Sequence, residues 1–189
     1  MNDFIEICFL RDKEICEELI DYFEKSPHKK PGVSTSGNVT IDKSIKDSTD
    51  LSISLYDSKV PQCIINYVNQ LQEVCEKYIK KYPYCNEYSK WAIVEEINIQ
   101  HYNPNGGFKV FHTERCSANS KMANRHLAFM TYLNDVNDKG QTEFLHQKRK
   151  IRPEKGKTLI WPCDWTHTHR GIPSERENKY IITGWYSFY

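Results

Sequence analysis

The pattern of apolar positions divides the chain into a helical first half and a strand-rich second half. Phe4 to Leu10 is a short apolar, β-prone run that predicts a strand. Asp12 then suits a helix N-cap with Glu14 in the first turn. Ile15, Cys16, Leu19, Tyr22 and Phe23 follow at helical spacing, and Pro27 lies beyond the end. The strongest helix opens at Pro61. Ile64, Tyr67, Val68, Leu71, Cys75, Tyr78 and Tyr82 fall on one stripe between residues 60 and 82, and Pro83 stops it. Such a stripe calls for a sheet to lie against.

Beyond Pro83 the period changes to two. Between Trp91 and Tyr102, Trp91, Ile93, Ile97 and Ile99 share one face, interrupted by Glu95. Asn103–Gly107 is a turn, and short extended segments follow at Phe108–Glu114, Arg125–Leu133, Gln141–His146, Thr158–Trp161, His167–Arg170 and Lys179–Phe188. Helices followed by a run of short strands predict an α+β, mainly β domain, a sandwich or barrel backed by helices. Residues 26–54 fit neither pattern. Pro31-Gly32, Ser34–Asn38 and Asp47–Asp50 are turn chemistry, and the segment reads either as a surface loop or as a flap over an active site.

Composition narrows this further. The 189 residues suffice for one domain, with residues 1–90 as helical support and flap and residues 91–189 as the β core. A net charge of +1 points to neither nucleic acid nor an acidic membrane surface as partner. No apolar run approaches the roughly 18–20 residues that span a bilayer, and Asp3 and Glu6 interrupt any signal-like N-terminus. The seven cysteines are widely spaced with no Cys-x-x-Cys pair, which predicts reduced thiols and a cytoplasmic location.

The chemistry concentrates after Phe111. On a strand, His112 and Glu114 point the same way, and so do His167 and His169. Two histidines and one carboxylate on one side of a metal leave open positions, the arrangement of non-haem Fe(II) oxygenases. A His-x-Glu pair alone is a weak signal in a chain with seven histidines. Lys179 adds to it. In the last segment Lys179, Ile181, Thr183 and Trp185 make one face, while Tyr180, Ile182, Tyr186 and Phe188 make the other. Both are largely apolar, so a lysine there either meets an anion, such as the far carboxylate of a 2-oxo acid, or snorkels out at the strand's start.

The order and spacing of these stretches resemble the 2-oxoglutarate/Fe(II) dioxygenases of the prolyl 4-hydroxylase type over residues 98–187. Tyr102 to Glu114 resembles the family's tyrosine, Gly-rich turn and His-x-acid motif. Tyr132-Leu133-Asn134-Asp135 resembles its next core strand, and Gly140–Phe144 its Gly-Gly-x-Thr-x-Phe stretch. Arg152-Pro153 to Gly156 is similar to its Pro-Lys-x-Gly turn, and His169–Pro173 to its His-x-Gly-x-Pro. Lys179 and Trp185 follow at the family's intervals. Glu114 stands where the family usually has Asp, Lys139 where it has the first of two glycines, and Ala128 where it often has Thr.

The resemblance implies a double-stranded β-helix, or jelly-roll, with His112, Glu114 and His169 as metal ligands. That leaves His167 as a neighbour at the mouth. It implies Lys179, Tyr102 and Trp185 around the co-substrate, with Fe(II), 2-oxoglutarate and O2 as the reacting set, and it admits ascorbate. The implied reaction is hydroxylation of an unactivated C–H bond, with peptidyl proline favoured. Arg115 and Arg170 keep a free amino acid or other small molecule in view as the substrate. The competing reading is a non-catalytic metal-binding jelly-roll module, with Cys116 and Cys163 beside the histidines as soft zinc ligands.

Overall fold

A computed structural model describes residues 2–34, 41–116 and 120–189. The chain runs β1 (Glu6–Phe9), α1 (Ile15–Lys25), β2 (Lys30–Pro31), β3 (Lys46–Asp47), β4 (Thr49–Ile53), α2 (Gln62–Lys81), β5 (Trp91–Ala92), β6 (Ile97–Tyr102), β7 (Gly107–Phe108) and α3 (Ser120–Ala123). It continues through β8 (Arg125–Tyr132), β9 (Thr142–Phe144), β10 (Arg149–Ile151), β11 (Lys157–Pro162), β12 (His169–Gly171) and β13 (Lys179–Phe188). The major sheet has the order β1-β11-β8-β13-β6-β4-β2, with β5 also paired to β13. A minor sheet runs β10-β9-β12, and β3 pairs with β7. All the pairings are antiparallel. This is the jelly-roll the sequence pointed to.

The major sheet is covered on both faces. On the outer face Ile182 and Tyr186 of β13 join the stripe of α2 and the apolar positions of α1 in one core. Ile64, Tyr67, Leu71, Cys75 and Tyr78 of α2 are buried there. One polar thread crosses this layer: the Tyr67 hydroxyl meets Thr131 Oγ1 at 3.0 Å, and Thr131 meets Thr158 at 2.7 Å. A second core lies inside the roll, between the sheets, and includes Tyr102, Met130, Phe144, Leu159, Trp161 and Ile181. β13 separates the two cores, and its alternation decides which residues see the interior. Lys179, Ile181, Thr183 and Trp185 all line the inner cavity.

Several boundaries differ from the pattern-based expectation. Asp12 is not the cap of α1. Glu14 occupies that place, and the Asp12 carboxylate accepts the Glu14 N–H at 2.9 Å. The 91–102 run is two strands, because Glu95 turns aside to pair with Arg125. The 108–114 run keeps only β7 and a single bridge at His112. Residues 165–167 form a 3-10 turn, not a strand. The 26–54 segment carries β2, β3 and β4, and β4 pairs with β6 from Thr49↔His101 to Ile53↔Ile97. Of the proposed flap, residues 35–40 lie outside the described residues.

Gly184 shows how tightly the outer core packs against the sheet. A Cβ there would sit 2.6 Å from Phe129 Cζ and 3.0 Å from Ile97 Cγ2. Gly184→Ala is therefore expected to destabilise the protein by about 1–3 kcal/mol through overpacking. The check is a lowered urea midpoint with unchanged denaturant slope.

Candidate metal centre

His112 and His169 face each other across a single antiparallel bridge. Each backbone N–H donates to the other's carbonyl at 2.9 Å. Their Nδ1 atoms each lie against a carbonyl oxygen: Val110 O at 3.1 Å for His112, His167 O at 2.9 Å for His169. A carbonyl only accepts, so each Nδ1 must carry the hydrogen, which leaves Nε2 with a free lone pair. Both Nε2 atoms point at the same oxygen, Glu114 Oε1, at 3.6 Å and 3.3 Å. The three donors lie within 4.8 Å of one another, the one such cluster of His, Cys, Asp or Glu among the described residues. Cys116 and Cys163 do not belong to it.

Neighbours fix the ligands in place. Phe108 stacks on the His112 ring, 3.6 Å between centroids and 9° from parallel, while Trp161 and Phe144 pack against His169. The second carboxylate oxygen of Glu114 accepts the Trp185 indole N–H at 2.8 Å. Burial holds His112 below its ordinary pKa, and the His169 charge adds to this. Burial alone would raise the Glu114 pKa, but the two histidines outweigh it and hold it well below the carboxylate range. A neutral imidazole and an ionised carboxylate are the forms that bind metal. Two imidazoles and one carboxylate, each orientated by a hydrogen bond on its far side, fit a first-row divalent ion.

The centre opens into a cavity of about 690 Å³. At its inner end Lys179 is 4 % exposed. Its Nζ donates to Gly140 O at 3.1 Å and lies 5.0 Å from the Tyr102 ring centroid. No carboxylate among the described residues pairs with it, and burial lowers its pKa from 10.5 to about 8. Gly140 offers its carbonyl from a left-handed pair, Lys139 at φ 58° and Gly140 at φ 76°. A Cβ on Gly140 would press on Val136 at 2.9 Å. Tyr102 lies directly opposite Lys179 in register and donates to Gln100 Oε1 at 2.6 Å.

Some sequence candidates lie elsewhere. His167, expected beside His169 on a shared strand face, sits in the 3-10 turn with Nε2 against Asp3 O at 2.9 Å. It serves the centre through its backbone carbonyl alone. Trp185 lines the cavity, but its polar atom is spent on Glu114. Arg115 is bound to Arg125 O and Asp164, and Arg170 to Glu143. Arg125 went unnoticed in the sequence, and Glu95 was noted there only as an interruption. A carboxylate breaking an apolar face was the signal that a buried cation would meet it.

These features define a protein class, and the comparisons agree. Residues 97–187 match the family model described as the 2OG-Fe(II) oxygenase superfamily. Enzymes of this class use Fe(II), 2-oxoglutarate and O2. More particularly, the fold is shared with three solved prolyl hydroxylases. One is the viral collagen prolyl hydroxylase vCPH of Paramecium bursaria Chlorella virus-1 in its 2OG complex: 16 % identity, TM-score 0.70, 98 % of this chain and 97 % of that one covered. A Pseudomonas putida prolyl-4-hydroxylase gives 15 %, 0.71, 98 % and 92 %. A Trichoplax adhaerens prolyl hydroxylase, in complex with a hypoxia inducible factor oxygen degradation domain peptide fragment, gives 18 %, 0.73, 98 % and 84 %. No curated protein matches the chain in sequence. No helix among the described residues is long and apolar enough to cross a membrane.

The lysine has a measurable signature. Its folded pKa is depressed, so the cost of burying its charge is fully present below about pH 8 and disappears as pH rises to 10.5. In ligand-free protein, the Lys179 contribution to stability should therefore rise across that window. Unfolding free energies from pH 7 to 10.5 should show this increment in the parent and not in Lys179→Met.

Proposed function

We propose that the chain is a prolyl hydroxylase acting on peptides, with His112, Glu114 and His169 holding Fe(II) and Lys179 holding the far carboxylate of 2-oxoglutarate. The observation that carries the reading is the pairing of two sites in one cavity. A metal-competent donor set stands at one side, and a buried, uncompensated ammonium stands at the inner end. A buried cation without a counter-ion is costly unless an anion arrives. A dicarboxylic 2-oxo acid supplies one, while its other end reaches the metal side.

Bound Fe(II), 2-oxoglutarate and O2 supply the oxidation: one oxygen atom replaces C–H by C–OH, and the other leaves in succinate as the oxo acid loses CO2. The chain's own residues do the rest. Nδ1–H bonds to Val110 and His167 hold the two imidazoles in the metal-binding tautomer. Trp185 fixes one oxygen of Glu114, leaving Oε1 toward the histidines. Lys179 orientates the co-substrate, while Tyr102, Ile181 and Trp161 keep its surroundings apolar.

Three features favour a peptide over a free amino acid. The cavity continues past Trp185, Asn98 and Glu96 into an open groove bordered by Ser54, Tyr56 and Val94. Its floor on β4 and β6 presents Ser52, Asn98 and Gln100, neutral groups suited to backbone amides. Arg115 and Arg170, which a free carboxylate would need, already have acidic partners. Proline in particular rests on the prolyl hydroxylase neighbours. The segment before β4 is part of the same reading as a flap. Pro31, Val33, Ile45 and Lys46 line the cavity, where closure would exclude water.

Incubation with Fe(II), 2-oxoglutarate, O2 and proline-containing peptides should yield peptides one oxygen heavier at proline, and His112→Ala should abolish this. Oxidation of a free amino acid with no peptide product would remove the prolyl reading and leave the oxygenase. Separately, Lys179→Met should weaken co-substrate binding by about 10- to 150-fold, the equivalent of one desolvated charged hydrogen bond. Its Fe(II) affinity should stay near that of the parent, and an unchanged 2-oxoglutarate requirement would refute the lysine's role.

A further inference from the structure

Behind Glu114 lies a connected set of side chains, Arg125, Trp185 and Glu95. Arg125 lies in β8 and is nearly buried, with its fork turned away from the metal side. Nε and Nη2 donate to Glu95 Oε1 and Oε2 at 2.9 Å and 2.7 Å, a bidentate pair. The remaining nitrogen, Nη1, donates to the Glu114 carbonyl at 3.2 Å and lies 3.6 Å from Glu114 Oε2. The guanidinium carbon stands 3.5 Å over the Trp185 ring, and that ring's N–H holds the same Oε2 at 2.8 Å. Ser187, two residues beyond Trp185 on β13, donates to Glu95 at 3.2 Å.

We propose that Glu95 is a positioning residue. Acting through Arg125 and Trp185, it dedicates Oε1 of Glu114 to the metal. The proposal rests on the reading of His112, Glu114 and His169 as the ligands. The physical need comes from glutamate itself. Its terminal torsion is broad, so an unheld carboxylate exchanges its oxygens freely. Here Trp185 and Arg125 both address Oε2, and Oε1 alone faces the histidines.

Glu95 has a second effect, an electrostatic one. An arginine 3.6 Å from Glu114 with no other partner would turn its fork onto that carboxylate and compete with a cation for it. By taking two of its donors, Glu95 compensates the guanidinium and leaves Glu114 its charge. The lone interruption in the apolar face before β6 thereby acquires a role. An ion pair that merely tied residues 93–96 to β8 would hold the fold together and leave the metal unaffected.

The test is titration of the metal-free full chain with Co(II), followed by its visible absorption, alongside thermal melts of the same metal-free samples. Glu95→Gln should weaken Co(II) binding about 10- to 100-fold, the usual effect of losing an outer partner of a ligand, and alter the absorption bands. Glu95→Asp should recover part of the loss. Trp185→Phe should weaken binding too, and the double variant with Glu95→Gln should lose less than the product of the two, since both act on one oxygen. Parent-like Co(II) affinity and spectrum in Glu95→Gln would overturn the proposal. So would strict additivity, or losses that only follow the folded fraction. Should Glu95→Gln not fold, Glu95→Asp and Trp185→Phe decide by the same criteria. A parent chain whose Co(II) binding does not depend on His112 would instead remove the ligand reading on which the proposal stands.

Discussion

Two backbone hydrogen bonds, exchanged between His112 and His169, are the constraint on which the site depends. They form an isolated bridge, with no ladder on either side to reinforce it. The bridge brings together two pieces of chain fifty-seven positions apart in the numbering and sets their imidazoles side by side. The remaining structure serves this pair. The β9–β12 pairing fixes His169 through Phe144, the β3–β7 pairing presents Phe108 to the face of His112, and both Nδ1 atoms are held by carbonyls. Preorganisation of this kind removes the ordering cost from the binding step.

The major sheet divides the labour. Its outer face is a conventional core, filled by the stripes of α1 and α2. Its inner face is a working surface, where β13 alternates apolar residues with Lys179 and Thr183. The sheet also extends past β6 to β4 and β2, so residues close to the N-terminal half of the chain form one wall of the cavity. The cavity therefore draws on residues outside the matched segment 97–187 as well as within it.

Much of this was legible in the sequence, for identifiable reasons. α2 could be read because its stripe is long and bounded by proline at both ends. The face shared by Lys179, Ile181, Thr183 and Trp185 followed from alternation in a ten-residue strand. β4 was not legible: Asp50 and Ser52 face a polar cavity, and to a pattern a residue facing a cavity looks like one facing solvent. His167 was misplaced because a 3-10 turn, fixed by contact with Asp3 far away in sequence, overrode the local alternation. The Glu95–Arg125 pair joins residues thirty apart through side chains alone, and no periodicity records such a contact.

Burial without a carboxylate partner among the described residues makes the Lys179 charge costly to fold around. On the proposed reading, a dicarboxylic acid that meets this ammonium acts on the folding equilibrium as well as on the site. A ligand present at a hundred times its dissociation constant adds about 2.7 kcal/mol to the folded side, a large fraction of the total stability of an ordinary domain. The unloaded chain is then the form most open to proteases. The amount of protein that survives would follow the abundance of the small acid, independently of how fast the chain is made.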